Sequence, residues 1–241
     1  MMRATSPTLW AMRLDLETLS DSGPDLSLLA YLIPLLFPLF ALLIGPVGAL
    51  ALGTVMTTGF WALCVAGLFV NTNGAQSGRL SALLPVVRPR QVAARYLVAG
   101  VLGLACVAEL VVQAGTLMLI EVFRGQTSWN PDAVPLSVVP LIPVIGCAAA
   151  AFVVVVAFEM PFYYALEFTK ASSWFWSAVF MVSGCVAVAI MLMPDEALHA
   201  ALTTALAMPR WLWDLIGVIG CAAAVAVSYA VSRHIWLRKE L

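Results

Sequence analysis

The chain has 241 residues, of which 63% are hydrophobic and 10% are charged, and its mean hydropathy is +1.00. A soluble domain carries roughly 25% charged residues, so this composition excludes an ordinary water-soluble protein. The formal net charge of −1 provides no overall attraction to nucleic acid or to an acidic surface. We therefore predict an all-α polytopic membrane protein.

The first 25 residues are charged and lack the apolar run of a cleavable signal. Ser6 suits a helix N-cap, and Pro7 suits the first helical position. Apolar side chains then recur at helical spacing, at Leu9, Met12, Leu16 and Leu19. We predict that residues 1–25 hold an amphipathic helix in the plane of the membrane interface. A solvated leader is the alternative.

Residues 26–241 contain six apolar segments, each near the length of about 20 residues that a membrane-spanning helix needs. They are residues 26–44, 47–70, 96–120, 136–158, 174–193 and 212–232. Apolar segments of this kind should be helices, because lipid offers no hydrogen-bond partner to an open backbone. We predict a six-helix transmembrane domain.

The first two segments should form a hairpin, because Gly45-Pro46 is a turn signal between them. Pro34 and Pro38 lie inside the first segment and predict a kink or a broken helix there. Between the fifth and sixth segments, residues 195–208 repeat leucine every four positions. This pattern predicts a short outer helix, or alternatively an ordinary structured loop.

Ten of the twelve Lys and Arg residues fall in segments that six spans place on one side of the membrane. These ten are Arg3, Arg13, Arg79, Arg88, Arg90, Arg95, Lys170, Arg233, Arg238 and Lys239. Arg124 and Arg210 fall on the other side. Because cytoplasmic loops are enriched in Lys and Arg, we predict that both termini are cytoplasmic.

The chain offers few residues for catalysis. It contains no phosphate-binding loop, no GxSxG and no HExxH, so no catalytic or metal-binding residue is predicted. The five cysteines fall in five different predicted spans without metal-type spacing, and packing is their expected role. Glu109 is the one clearly intramembrane carboxylate and is a candidate for the substrate pathway. Alternatively, it pairs with a group between helices, and Gln113 lies one turn away.

The loop at residues 71–95 is long and basic, with a short apolar helix pattern at Leu80, Leu83 and Leu84 that Pro85 ends. Such a face on a cytoplasmic loop requires a partner surface, either a protein or the bilayer itself. Leu84-Pro85-Val86, Arg88, Val92 and Tyr96-Leu97 resemble the coupling region of the ABC-2 type permease family. Met160-Pro161-Phe162-Tyr163-Tyr164 and Lys170 resemble the loop after span four in one branch of that family. That branch contains six-span permeases of bacterial peptide and bacteriocin-type exporters, such as phenol-soluble modulin transporters.

The resemblance implies a function as the transmembrane permease subunit of an ABC transporter in the bacterial cytoplasmic membrane. It implies an exporter of a peptide, lipid-like or other amphipathic substrate, and a second permease chain as partner. A separate ATPase subunit would bind ATP and Mg and would dock on the loop, so the chain itself is not expected to be an enzyme or to hold a cofactor. The coupling residues carried over are Ser77, Gly78, Leu80, Leu83, Leu84, Pro85 and Arg88.

Two other functions stay open at this point. A secondary transporter would use Glu109 as its intramembrane site, and a substrate-binding membrane subunit of an importer would also have six spans. A structural or immunity protein of the membrane would show the same composition.

Overall fold

The computed structural model consists of long helices. It describes residues 7–20, 32–70, 88–124, 135–194 and 209–238, together with residues 196 and 203. In chain order, the α-helices are α1 Pro7–Ser20, α2 Ala41–Gly67, α3 Arg88–Arg124, α4 Leu141–Ala165, α5 Phe168–Leu192 and α6 Arg210–Arg238. Two 3-10 helices, η1 Ile33–Phe40 and η2 Leu136–Val138, precede α2 and α4. No strand occurs in these ranges, which agrees with the predicted all-α class.

Within the described part, four segments are long and apolar enough to cross a membrane, namely Ile33–Gly67, Pro89–Phe123, Leu141–Ala165 and Arg210–Arg238. Their apolar side chains mostly face outward, since only 11–44% of each segment's most apolar window is buried. Water-soluble proteins do not expose apolar surface on this scale. The chain is therefore a multi-pass membrane protein, while the count of six spans stays a prediction. Helix α5 is as long as α4 and adds a further apolar helix to these four.

The first of these segments folds back on itself at Gly45. This residue has φ 81° and ψ 165°, a conformation that essentially only glycine adopts, and Pro46 follows it. On the two sides of the break, one amide nitrogen, Nε2 of Gln113, donates to the Pro34 carbonyl at 2.8 Å and to the Thr57 hydroxyl at 2.7 Å. In one straight helix, residues 34 and 57 would lie about 35 Å apart. The two arms therefore run antiparallel, as the Gly-Pro turn predicts.

The arm before the turn packs closely against the part of α2 that follows Gly45. A Cβ atom at Gly53 would lie 3.4 Å from Phe37 Cβ, an ordinary van der Waals distance, and 2.7 Å from Gln113 Oε1, so a side chain there would displace the amide end of Gln113. This arm is the 3-10 helix η1, which begins at Ile33 and contains Pro38. Proline lacks the amide hydrogen of a regular α-helix, which explains the 3-10 geometry where a kink was predicted.

The centre of the bundle is formed by α3 and α4. Helix α4 contacts α2, α3, α5 and α6, and α3 contacts α1, α2, α4 and α6. Large side chains, including Phe69, Met160 and Tyr163, fill the core near the end of α2 and the start of α3. The core at the opposite end is smaller and includes Ala49 and Leu117. The two ends of the bundle therefore differ in how much apolar volume holds them together.

Several helix boundaries differ from the predicted spans. Helix α3 begins at Arg88, ahead of the predicted residue 96, and α4 continues to Ala165, beyond the predicted residue 158. Residues 160–164 were predicted to be a loop, and this prediction is wrong. They stay helical because Tyr163 and Tyr164 are buried and pack against Phe69, and these contacts stabilise the extended helix.

The N-terminal helix exists at the predicted residues, although Leu9 is exposed and Ala11 is the buried side chain of the contact with α3. Its location at the membrane interface stays a prediction. The predicted outer helix at residues 195–208 lies outside the described residues except for residues 196 and 203.

The hairpin at Gly45 can be tested by cross-linking Phe37→Cys to Gly53→Cys in a chain whose own cysteines are replaced by alanine. We expect a disulfide to form in the membrane, because the Cβ separation of 3.4 Å lies near the lower end of the disulfide range. The matched control is Phe37→Cys with Gly59→Cys, since a Cβ at Gly59 has no neighbour within 4 Å. Gel mobility after oxidation measures the cross-link. Equal yields in both pairs, or none in the first, would contradict the hairpin.

Candidate functional site

The described basic residues gather at one end of the bundle, which we call the basic end. This end contains the C-terminal ends of α2, α4 and α6 and the N-terminal ends of α3 and α5. Seven basic residues lie at this end, namely Arg13, Arg88, Arg90, Arg95, Lys170, Arg233 and Arg238. Arg124 and Arg210 lie at the opposite end. The charge asymmetry expected from the sequence is thus present in the folded chain.

Most of the predicted coupling residues lie outside the described residues, which stop at residue 70 and resume at residue 88. These are Ser77, Gly78, Leu80, Leu83, Leu84 and Pro85. Arg88 is the first residue of α3. Both ends of the predicted coupling loop therefore lead directly into the basic end, and what surrounds them can be described.

Arg95 is the charged centre of the basic end. Its guanidinium carbon lies 4.7 Å from the centre of the Phe69 ring and 5.6 Å from the centre of the Tyr164 ring. The side chain is only 7% exposed. Each cation–π contact of this kind contributes about 0.5–2 kcal/mol, with the higher values where water is excluded. Two aromatic faces therefore stabilise a positive charge that burial would otherwise make costly.

The rings around Arg95 form a connected group that we call the aromatic cage, consisting of Phe69, Tyr163, Tyr164, Phe168 and Trp236. Phe69 stacks on Tyr163 with ring centres 5.1 Å apart and meets Tyr164 edge-on at 5.2 Å. Tyr163 stacks on Phe168 at 5.5 Å, and Tyr164 meets Trp236 at 5.7 Å. The cage thus joins the chain just after α2 to α4, α5 and α6, with α3 supplying the charge.

Helix α1 joins this cluster through Asp15. Burial raises the pKa of the Asp15 carboxyl, and the positive charge of Arg95 opposes part of that rise. Ala11 packs against Ala94 in the same contact. The N-terminal helix is therefore held to the start of α3 by both an apolar contact and an attraction between charges.

The next residue, Tyr96, fastens α3 to α6. Its hydroxyl lies 2.6 Å from the Ser228 hydroxyl and 2.9 Å from the Ser232 hydroxyl, and its ring meets Tyr229 edge-on at 5.4 Å. Ser228 and Ser232 are one helical turn apart, so a single tyrosine reaches both. Tyr96 is part of the motif that resembles ABC-2 permeases. Here it forms a contact between two helices, while its neighbour Leu97 is half exposed.

Glu109 lies in the middle of α3 and is 8% exposed. Its Oε2 accepts a hydrogen bond of 2.5 Å from the Trp61 indole nitrogen of α2. Gln113 bonds to Pro34 and Thr57, so the partner of Glu109 is Trp61 rather than the glutamine one turn away. This arrangement fits the interhelical pairing weighed from the sequence.

A second buried carboxylate, Glu159 of α4, was missed by sequence reasoning because the fourth span was predicted to end at residue 158. It is 2% exposed, and its Oε1 has no hydrogen-bond partner in the described part of the chain. The signal was present in the sequence, since Phe158 and Met160 flank the residue and the apolar run continues to Leu166. A single acidic residue inside an otherwise apolar segment is the pattern of an intramembrane carboxylate.

The buried polar groups of the described residues lie mainly at contacts between helices. No group of three or more His, Cys, Asp or Glu side chains that could hold a metal ion occurs among them. All five cysteines are unpaired, and Cys106 is buried. The polar groups that do meet, such as Tyr96 with its two serines, connect helices to one another. The aromatic cage likewise joins α3 to α4, α5 and α6 at the basic end.

Comparison with known proteins defines the class and then the family. The fold and the outward-facing apolar helices are those of a multi-pass membrane protein. A sequence model of the family described as "ABC-2 family transporter protein" matches residues 25–236. The chain therefore belongs to the ABC-2 transporter family, as its coupling-region residues suggest. No curated protein and no solved structure gives a significant match, and the resemblance to peptide and bacteriocin-type exporters stays a prediction.

The contact between α3 and α6 can be tested with Tyr96→Phe. This change removes the hydroxyl that meets Ser228 and Ser232 while it keeps the ring, so we expect a loss of about 0.6–1.7 kcal/mol in the free energy of unfolding. Tyr229→Phe is the control, because it keeps the edge-on ring contact and should change stability by less than about 0.5 kcal/mol. Reversible unfolding in mixed micelles measures both. Equal losses would contradict the role given to the Tyr96 hydroxyl.

Proposed function

We propose that the chain is the transmembrane permease subunit of an ATP-driven exporter in the bacterial cytoplasmic membrane. The observation that carries the proposal is the family match over residues 25–236. Members of this family form the membrane part of a transporter, and a separate subunit binds ATP and Mg. A loop of the chain must then receive that subunit, and the sequence provides one at residues 71–95.

The proposed orientation places the basic end in the cytoplasm. Its support is the distribution of the described basic residues, seven of nine at that end. By the positive-inside rule, the side with more Lys and Arg faces the cytoplasm. Six spans with both termini cytoplasmic satisfy this rule, and the hairpin at Gly45 provides the first reversal. The ATPase and the coupling loop would then lie on the same side of the membrane.

In the proposed mechanism, the ATPase docks on the short helix around residues 77–84, and α1 braces the contact. ATP binding closes two ATPase subunits and displaces the loop. The loop's ends lie next to the cage, since Phe69 precedes it and Arg95 follows it. A displacement of either end changes the contacts of Arg95, and α4, α5 and α6 must respond through the cage rings.

We further propose that two permease chains, identical or related, face each other across the substrate path. The exposed faces of the helices are apolar almost throughout, which would suit a peptide, a lipid-like molecule or another amphipathic substrate. A polar solute would need a lining of hydrogen-bonding groups, and the described outward faces offer few.

The docking proposal is tested by Leu84→Asp, which places a charge on the apolar face of the proposed coupling helix. We expect this variant to lose the co-purifying ATPase and to lose transport while the permease still folds, because the charge must be desolvated on docking. Leu83→Asp should act in the same way. The measurement is mass spectrometry of the complex extracted in mild detergent from the native host, together with ATP-driven export.

The matched control is Leu237→Asp, which adds the same charge at an exposed position near the end of α6 at the basic end. It should keep the ATPase. If all these variants retain a stoichiometric ATPase and normal transport, the docking site at residues 77–84 is wrong. A wild-type chain that purifies without any ATPase would count against the permease proposal itself.

The alternative of a secondary transporter makes a different prediction for Glu109. The bond from Trp61 supports an interhelical role, and the amide oxygen of Glu109→Gln can still accept it. We therefore expect Glu109→Gln to keep normal ATP-driven transport and stability. Glu109→Leu, which removes the acceptor, should lose about 1–3 kcal/mol of stability. Export that fails in the glutamine variant while the protein stays folded would favour a working carboxylate and the secondary-transporter alternative.

A further inference from the structure

A cleft of about 310 Å³ lies between α2, α4 and α5. Its floor is formed by Ala62, Phe175 and Glu159, which are all buried. Its rim includes Leu63, which is 53% exposed, and Trp176, which is 41% exposed. Exposed apolar residues of membrane-spanning helices face lipid, so the cleft opens sideways toward the bilayer.

Glu159 is the feature of the cleft that packing does not explain. Of the described residues that line the cleft, one is acidic and none is basic. Oε1 of Glu159 has no hydrogen-bond partner among the described groups. A titratable neighbour, Tyr163, lies one turn further along α4, and its hydroxyl is already bonded to Ser172. The carboxyl group is thus buried, aimed into a cleft and left with an unused acceptor.

Glu109 shows how this chain treats a carboxyl group that serves packing. The Glu109 carboxylate accepts a hydrogen bond from the Trp61 indole nitrogen. Among the described groups, no such donor reaches Oε1 of Glu159. A buried acceptor without a partner costs about 1–3 kcal/mol, and more if it is charged. A buried group that bears such a cost is a candidate for a partner that arrives from outside the fold.

We propose that this cleft binds a membrane amphiphile with a cationic head group, whose positive charge pairs with Glu159. Charge complementarity selects the head, because an ammonium group donates the hydrogen bond that Oε1 lacks. The apolar floor and rim select the tail, and Trp176 and Phe175 offer aromatic faces beside the charge. Binding itself is a property of this chain alone. That the bound amphiphile is cargo rests on the export function proposed above.

The depth and size of the cleft fit this class of ligand. Glu159 lies six residues before the end of α4, which places it about 9 Å inside the basic end. A head group at that depth stays near the membrane interface while its tail reaches further in. The volume of about 310 Å³ lies at the lower end of the roughly 300–1,000 Å³ of small-molecule pockets, so the cleft takes the head and the first part of a chain.

The test compares two amphiphiles of equal length, decylamine, which carries a positive charge at neutral pH, and uncharged decanol. Each is titrated against the purified full-length chain in non-ionic detergent, and native mass spectrometry counts the bound molecules. We expect decylamine to bind at least about tenfold more tightly than decanol. Glu159→Gln should abolish this preference, because the amide carries no charge to pair with the ammonium group.

Two further variants make the test specific. Glu109→Gln is the matched control, because it neutralises the other intramembrane carboxylate without touching the cleft, and it should keep the preference for decylamine. Leu63→Trp fills the rim without altering the carboxyl group, and it should weaken binding of both amphiphiles at least about tenfold. Thermal unfolding of every variant checks that the fold is kept. If Glu159→Gln does not fold, Leu63→Trp still tests whether the amphiphiles bind in the cleft.

Three outcomes would overturn the proposal. The first is equal binding of decylamine and decanol by the wild-type chain, which would make the cleft a slot for lipid tails with a protonated Glu159. The second is loss of the preference in Glu109→Gln as well as in Glu159→Gln. The third is a dimer mass that takes up neither amphiphile, which would mean that a second copy covers the cleft. None of these outcomes depends on the ATPase, so they are distinguishable from failure of the docking site on the coupling loop.

Discussion

The burial of one positive charge organises the basic end of this bundle. Arg95 cannot be left among apolar side chains without compensation, and the chain supplies it from three directions, with Phe69 after α2, Tyr164 on α4 and Asp15 on α1. Phe69 and Tyr164 are themselves held by other rings, so the arginine and the cage depend on one another. The N-terminal helix is held to the start of α3 by the attraction of Asp15 to this charge and by the contact of Ala11 with Ala94.

At the other end of the bundle, the neutral amide of Gln113 also holds several segments together. Gln113 holds the two arms of the Gly45 hairpin together through a backbone carbonyl and a hydroxyl, and Gly53 is small enough to let it approach. Hydrogen bonds between membrane helices are individually modest, but an unsatisfied amide in hydrocarbon would be costly. Four polar side chains therefore lie along α3, namely Arg95, Tyr96, Glu109 and Gln113. Each of them contacts a different neighbour.

The sequence was sufficient for much of this architecture. Length and apolarity predicted the membrane helices, the Gly-Pro pair predicted the reversal at residue 45, and the motif around Arg88, Val92 and Tyr96 pointed to the correct family. The apolar run up to Leu166 was a signal for the extension of α4 past Glu159, but the contacts of Tyr163 and Tyr164 with Phe69 that stabilise it join residues nearly a hundred positions apart and were not visible. For the same reason, Trp61 as the partner of Glu109 was not visible from spacing on one helix. Periodicity reports which faces are apolar, whereas the choice of partner is a property of the packed bundle.

The length of α3 gives its anchoring near one end a mechanical meaning. The helix has 37 residues, and about 43 Å of it extends beyond the contacts of Arg95 and Tyr96, with Glu109 and Gln113 bonded to neighbours along that length. A tilt of only about 5° around Arg95 would move the far end of α3 by about 4 Å, close to the width of a methylene chain. The far core is built from aliphatic side chains such as Ala49, Ala114 and Leu117, in place of the stacked rings of the near end. In mechanical terms α3 is a lever with its fulcrum at the basic end, and a small rotation about that point would be amplified toward its far end.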